Sequence, residues 1–188
     1  DTKVYNRYLF DAVRDNDKTL NTHSNDFHGA VGQENGYGNV YHKTATMLYN
    51  LQYLLGDELF QNAMRHYVAK WKMAHPYVED FRQSIIEYTH EDLNWFFDQW
   101  METNKHIDYG IVGIKKTKTP DEYKITFKRY GEMQMPLDFR VIANDKTNYN
   151  FTIPNTWLRK KTTSTVLPTW YGWDILHPTY TASVHIPS

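Results

Sequence analysis

The chain has 188 residues, 40% of them hydrophobic and 16% aromatic, with a formal net charge of −1 at pH 7 and no cysteine. That is enough for one large domain or two small ones with a real core, while near-zero charge without a basic block argues against nucleic acid as a partner. Disulfides and thiolate metal sites are excluded, and no apolar run approaches the roughly 20 residues of a membrane-spanning helix.

The first half is helical in period. In KVYNRYLFDAV, Val4, Tyr8, Leu9, Ala12 and Val13 predict one apolar face. Residues 15–38 are rich in Asn, Asp, Ser and Gly and read as loop. The stretch GQENGYG within them is a flexible loop rather than a phosphate cradle, because it lacks Gly-x-Gly-x-x-Gly and follows no strand. In GNVYHKTATMLYNLQYLLGDELF, residues 38–60, Val40, Thr44, Met47, Leu48, Leu51, Leu54 and Leu55 recur at helical spacing. Gly56 stops that helix, and Asp57 is expected to N-cap the next, which carries Leu59, Phe60, Ala63, Met64, Tyr67, Val68 and Trp71. HPY breaks it. Glu79 and Asp80 then suit the first turn of a fourth helix, with Phe81, Ile85, Ile86 and Tyr88 behind them. EDLNWFFDQWME supplies a last helix with Leu93, Phe96, Phe97 and Trp100 inward.

From residue 107 the pattern alternates. DYGIVGIKKT, EYKITFKRY, MPLDFRVIAN, YNFTIP, TTSTVL and YTASVHIP are strand candidates, with KTPDE and NDKTN as the clearest turns. Regularly spaced short strands predict a small β-sandwich. A helical unit over residues 1–106 followed by a β unit over 107–188 is an α+β arrangement. The chain opens at Asp1 directly in a helical pattern and stops just after an alternating segment, so a piece of a longer protein is expected.

Few constellations carry chemistry. His-Glu-x-x-His is absent, and His23 and His28 are not at a helical ligand spacing. The one Glu-x-x-His, Glu87 to His90, lacks the second copy that a di-iron site needs; His90 reads as a favourable charge at a helix end. In LPTWYGWDILHPTY, the residues Trp170, Tyr171, Trp173 and Tyr180 could stack a sugar, but large aromatics more often anchor a loop. Tyr41, His42 and Lys43 open a core helix behind the glycine-rich loop. A tyrosine is neutral at pH 7, with a reference pKa of about 10. It can donate one hydrogen bond to an oxyanion in acyl transfer, although a structural role is the usual one.

VYHKTATMLYNLQYLLGDELFQNAMRHYVAKW resembles the second half of the catalytic domain of the gluzincin zinc aminopeptidases, the group of aminopeptidase N and leukotriene hydrolase. Tyr41 and Lys43 match that family's Tyr-Glu-Lys-Gly signature, and Leu48, Leu51, Gly56, Phe60 and Tyr67 match the pattern that follows it. LNTHS, Leu20 to Ser24, resembles the Ser-Ser-His-Pro segment before the signature. EDF, Glu79 to Phe81, and DLNWFFDQWMETNKHIDYGI resemble the end of the catalytic domain and the passage into a small β-sandwich. The wording is closest to a Bacteroidetes-like branch. His42 and Thr44 depart from the signature's glutamate and glycine.

The resemblance implies the all-helical C-terminal half of a thermolysin-like catalytic domain followed by an immunoglobulin-like β-sandwich. It implies the C-terminal portion of a zinc aminopeptidase that hydrolyses N-terminal residues from peptides. Carried over residue by residue, only Tyr41 is catalytic: it would donate a hydrogen bond to the tetrahedral intermediate. The zinc ligands and the segment that holds the substrate's free amine would lie upstream, so no zinc and no activity are expected of this fragment alone. Peptide substrate and the remaining domains of the parent chain are the implied partners. The bacterial branch and the lack of cysteine give periplasm or cell exterior as the expected location. Two rivals stand beside this reading: a non-catalytic module binding through an aromatic sandwich surface, and a homologue whose parent lost the zinc motif and serves as a scaffold.

Overall fold

The computed structural model describes residues 2–27, 36–158, 160–171 and 176–187. They form two compact units, Asp1–Lys105 and His106–Ser188, with α+β content. Among the described residues no helix is long and apolar enough to cross a membrane.

The first unit is helical. Helix α1 (Thr2–Ala12) buries Tyr8, Asp11 and Ala12. Val13, expected on the same face, is 80% exposed. The helix stops one residue earlier, and the chain turns back with the Asn16 N–H donating to the Asp11 carbonyl at 3.0 Å and Asp15 at φ 52°. A π-helical turn (Gly38–Lys43) runs directly into α2 (Thr44–Leu55). Met47, Leu51, Leu54 and Leu55 form its buried face, but Val40 lies outside it. Helix α3 (Asp57–Trp71) follows at once. Asp57 is its first helical residue and not its cap: Gly56, at φ 80°, makes the joint, and the Asp57 carboxylate accepts from the Gln52 amide at 2.9 Å. Only glycine adopts that backbone cheaply.

Helix α4 (Val78–Thr89) is capped by the Tyr77 backbone N–H donating to the Asp80 carboxylate at 2.7 Å. It ends on His90 in the left-handed region, φ 56°. Helix α5 (Asn94–Met101) turns Phe96, Phe97, Trp100 and Met101 inward. Edge-to-face and tilted ring contacts then join four helices in one chain. Tyr67 of α3 meets Phe81 of α4 at 5.0 Å between centroids, and Phe81 meets Phe97 of α5 at 6.0 Å. Phe96 touches both Phe97 and Trp100, and Trp100 reaches Tyr8 of α1 at 6.1 Å. Such pairs contribute about 0.5–1.5 kcal/mol each beyond area burial.

The second unit holds two three-stranded sheets. Strands β1 (Tyr109–Lys116), β2 (Glu122–Arg129) and β6 (Thr179–His185) form one, in the order β1-β2-β6, fully antiparallel. Strands β3 (Leu137–Ile142), β4 (Asn148–Ile153) and the two-residue β5 (Thr165–Val166) form the other, with β4 and β5 parallel. Alternate residues of β2, β4 and β6, namely Ile125, Phe127, Phe151, Ile153, Ala182 and Val184, make one apolar cluster that both sheets share. Period-two burial on β6 shows the alternation that put them there.

Trp170 belongs to this cluster. Its ring stacks on Tyr180 at 5.6 Å and its Nε1–H donates to the His177 carbonyl at 3.4 Å. It is therefore a loop anchor and not half of an exposed stacking platform. Trp173 lies outside the described residues.

Gly131 sits where no side chain fits: a Cβ there would meet the His106 carbonyl oxygen at 2.2 Å and the Asp108 nitrogen at 2.7 Å. Both are backbone atoms and cannot swing away. Gly131→Ala is expected to destabilise this unit by about 1–3 kcal/mol, the usual cost of overpacking. Hydrogen-exchange protection of the β2 and β6 amides measures it, and unchanged protection would contradict it.

Candidate functional site

The site is built on the π-helical turn. Its defining bond runs from the Thr44 N–H back five residues to the Asn39 carbonyl. The Thr44 hydroxyl donates to that same carbonyl at 3.1 Å, and the Thr46 hydroxyl donates to the His42 carbonyl at 2.8 Å. Side chains thus add donors to carbonyls of the turn. Gly38 at its start lies close to α1: a Cβ there would stand 2.9 Å from Asp11 Oδ2, so the Asp11 side chain would have to shift. Single π turns of this kind are rare and concentrate at functional sites.

The inner side of the turn is polar and buried. Asn39 donates through Nδ2 to the carbonyls of Lys18 (2.9 Å) and Thr19 (3.1 Å), and its Oδ1 accepts from the Lys18 N–H at 3.2 Å. Lys43 is 1% exposed. Its ammonium donates to Asp17 Oδ2 at 2.7 Å, to the Lys18 carbonyl at 2.7 Å and to the Thr103 carbonyl at 3.4 Å. An ammonium has three donors, and each has an acceptor. Burial pushes the Lys43 pKa below its ordinary value, opposed by the hydrogen bond and charge of Asp17. Burial and then the Asp17 charge push the neighbouring Tyr8 phenol well above its ordinary value.

The outer side is aromatic. Tyr41 is 62% exposed, and its ring lies against Tyr37 at 5.6 Å between centroids and 28° between planes. Among the described residues no hydrogen-bond partner meets its hydroxyl. His42, between the two sides, is half-buried with Nδ1 enclosed and unpaired.

The three ionisable residues of the first turn therefore separate. Tyr41 faces out, while Lys43 turns into the protein to meet Asp17, a residue the sequence reading did not single out. Its signal was present: 43, 47, 51 and 55 form one i, i+4 row, and the other three members are buried apolar residues. The sequence could not name the partner among several nearby acids.

The remaining candidates do not assemble. Glu87 pairs with Lys70 at 2.6 Å and also accepts from Gln83, and these bonds hold its carboxyl below the usual range. His90 is an exposed helix cap. His23 Nδ1 accepts the Asn25 N–H at 3.2 Å, capping a short 3-10 turn, Ser24–Asp26. His28 and most of GQENGYG lie outside the described residues. Among the described residues no group of three His, Cys, Asp or Glu side chains could hold a metal ion.

Residues 5–100, slightly more than half of the chain, match the peptidase family M1 domain. No curated protein matches the chain.

Lys43→Met keeps most of the side-chain volume but leaves Asp17 buried without its cation. Removing one partner of a buried pair costs about 3–5 kcal/mol. The variant is expected to lose that much by equilibrium urea unfolding of the helical unit; a loss no larger than that of a surface substitution would mean that the pair is not closed in solution.

Proposed function

Since the chain belongs to peptidase family M1, we propose that it is the C-terminal portion of a zinc aminopeptidase of a Bacteroidetes-like branch, and that Tyr41 is its catalytic residue. The observation that carries this is Tyr41 itself, an exposed phenol with a hydroxyl unclaimed by the described residues, presented by a π-helical turn. In hydrolysis of a peptide bond, negative charge develops on the carbonyl oxygen under attack. A neutral hydroxyl held toward that oxygen donates to it more strongly as the charge grows, which lowers the barrier.

The described residues do not offer a zinc site. The single Glu-x-x-His has its glutamate engaged by Lys70, and no three-ligand group occurs among the described residues. On this reading, which rests on the family resemblance, the metal-binding half of the catalytic domain belongs to a parent chain. The helical unit is then the second half of a thermolysin-like catalytic domain, and the two sheets are an immunoglobulin-like sandwich. Substrate is the N-terminal end of a peptide, met in the periplasm or outside the cell.

Two measurements test this. The 188-residue chain alone is expected to bind no stoichiometric zinc and to leave aminoacyl-anilides intact. In the peptidase that joins it to its metal-binding half, Tyr41→Phe is expected to lower kcat by about 10²-fold or more, the scale of a lost oxyanion donor. Tight zinc with activity in the chain alone, or an unchanged rate for the variant, would overturn the assignment.

A further inference from the structure

The inner and outer sides of the π-helical turn are coupled by geometry. Asn39 and Lys43 are both turned inward, and Tyr41 lies between them, two residues from each. Two residues are about half a helical turn, so holding 39 and 43 inward drives 41 outward. Apart from the Thr103 carbonyl, the partners of both inner residues lie on one strip of chain, Asp17 to Thr19. That strip is fixed in turn: the Asn21 N–H donates to the Met101 carbonyl at the end of α5 at 3.2 Å, and the Asn21 amide reaches Glu102 at 3.1 Å.

We propose that Asp17, Asn39 and Lys43 form a clamp that sets the direction of the Tyr41 side chain, and that they are positioning residues for the hydrogen bond Tyr41 donates. The second half of this statement rests on the reading of Tyr41 above; the first does not. A rotation of the turn that moved the phenol by about 1 Å would be felt in turnover, since misplacement on that scale costs about 10²-fold. The Lys43 ammonium is suited to the task because its three acceptors come from two separate segments, residues 17–18 and Thr103. It therefore fixes the rotation of the turn as well as its distance. A neutral side chain of equal volume would fill the space without that directional hold.

The chain contains no cysteine, so Lys43→Cys introduces a unique thiol. Alkylated in urea and refolded, it accepts either an aminoethyl group, which restores an ammonium at lysine length, or a propyl group, which does not. Tyr41 is then read by NMR through its ring contacts with Tyr37. The aminoethyl form is expected to show the Tyr37–Tyr41 ring NOEs of the unaltered chain, and the propyl form to lose them. Asp17→Asn, which keeps shape and removes charge, serves as the milder variant if the propyl form does not refold, and it too is expected to lose the NOEs. Retained NOEs in a folded, neutral variant would overturn the clamp.

In the peptidase, Asp17→Asn is expected to lower kcat about 10²-fold with KM unchanged, and to lower it no further on a Tyr41→Phe background. Equal losses on both backgrounds would mean general destabilisation and would sink the positioning role. If Tyr41→Phe alone leaves kcat unchanged, the catalytic reading of Tyr41 fails, while the NOE experiment still decides the clamp.

Discussion

The helical unit is organised around one lysine ammonium taken out of water. Desolvating a cation and its carboxylate partner costs several kcal/mol each, and their attraction in a low-dielectric interior returns this only when every donor is used. Lys43 meets that condition with Asp17, the Lys18 carbonyl and the Thr103 carbonyl. Because a well-packed apolar pair of the same volume is often as stable, net stability is a poor explanation for the charge. What the charge supplies is direction. Two carbonyls and a carboxylate from separated parts of the chain must all point at one nitrogen, and few arrangements of the backbone allow that.

The strip from Asp17 to Thr22 gains its order from the same bonds. It has no helix or strand of its own, so its backbone groups must find partners elsewhere. The π-helical turn provides them through Asn39 and Lys43, and α5 provides another through the Met101 carbonyl. The aromatic row from Tyr67 to Tyr8 gives α5 its fixed place among the other helices. Position is thus passed from an apolar core, which specifies packing but not orientation, to a polar clamp, which specifies orientation. Tyr41 stands at the end of that series.

Most elements of this fold were legible because apolar period and turn chemistry agree. The helical period points Phe96, Phe97 and Trp100 inward, and they are buried; KTPDE and NDKTN have turn chemistry, and they join antiparallel strands. Failures occurred where hydrogen bonding outranked the apolar period. Val40 matched the helical face of α2, but the π-helical turn ahead of that helix carries the register of Asn39 and Lys43 inward and leaves Val40 outside. Val13 extended an apolar row that the turn at Asp15 had already ended. A π turn has no strong sequence signature; here its trace is a pair of threonines, Thr44 and Thr46, whose hydroxyls serve carbonyls of the turn. The strip residue Asp17 could not be told from Asp15 by spacing alone, since the choice depends on a fold in the loop.

The π-helical turn ahead of α2 therefore carries two kinds of information in residues two apart. The outward phenol gives the candidate chemistry, and the inward ammonium gives the geometry under which that chemistry could operate. Thr44 fits this division. Where the resembling family has glycine, its hydroxyl closes onto the Asn39 carbonyl, holding the same π bond that brings Asn39 to the strip. A substitution that looks like a loss of backbone freedom at the site is, in this chain, a further tie on the wide turn. His42, beside it, keeps an enclosed and unpaired Nδ1. Among the described residues that nitrogen has no partner, whereas each donor of the Lys43 ammonium has one.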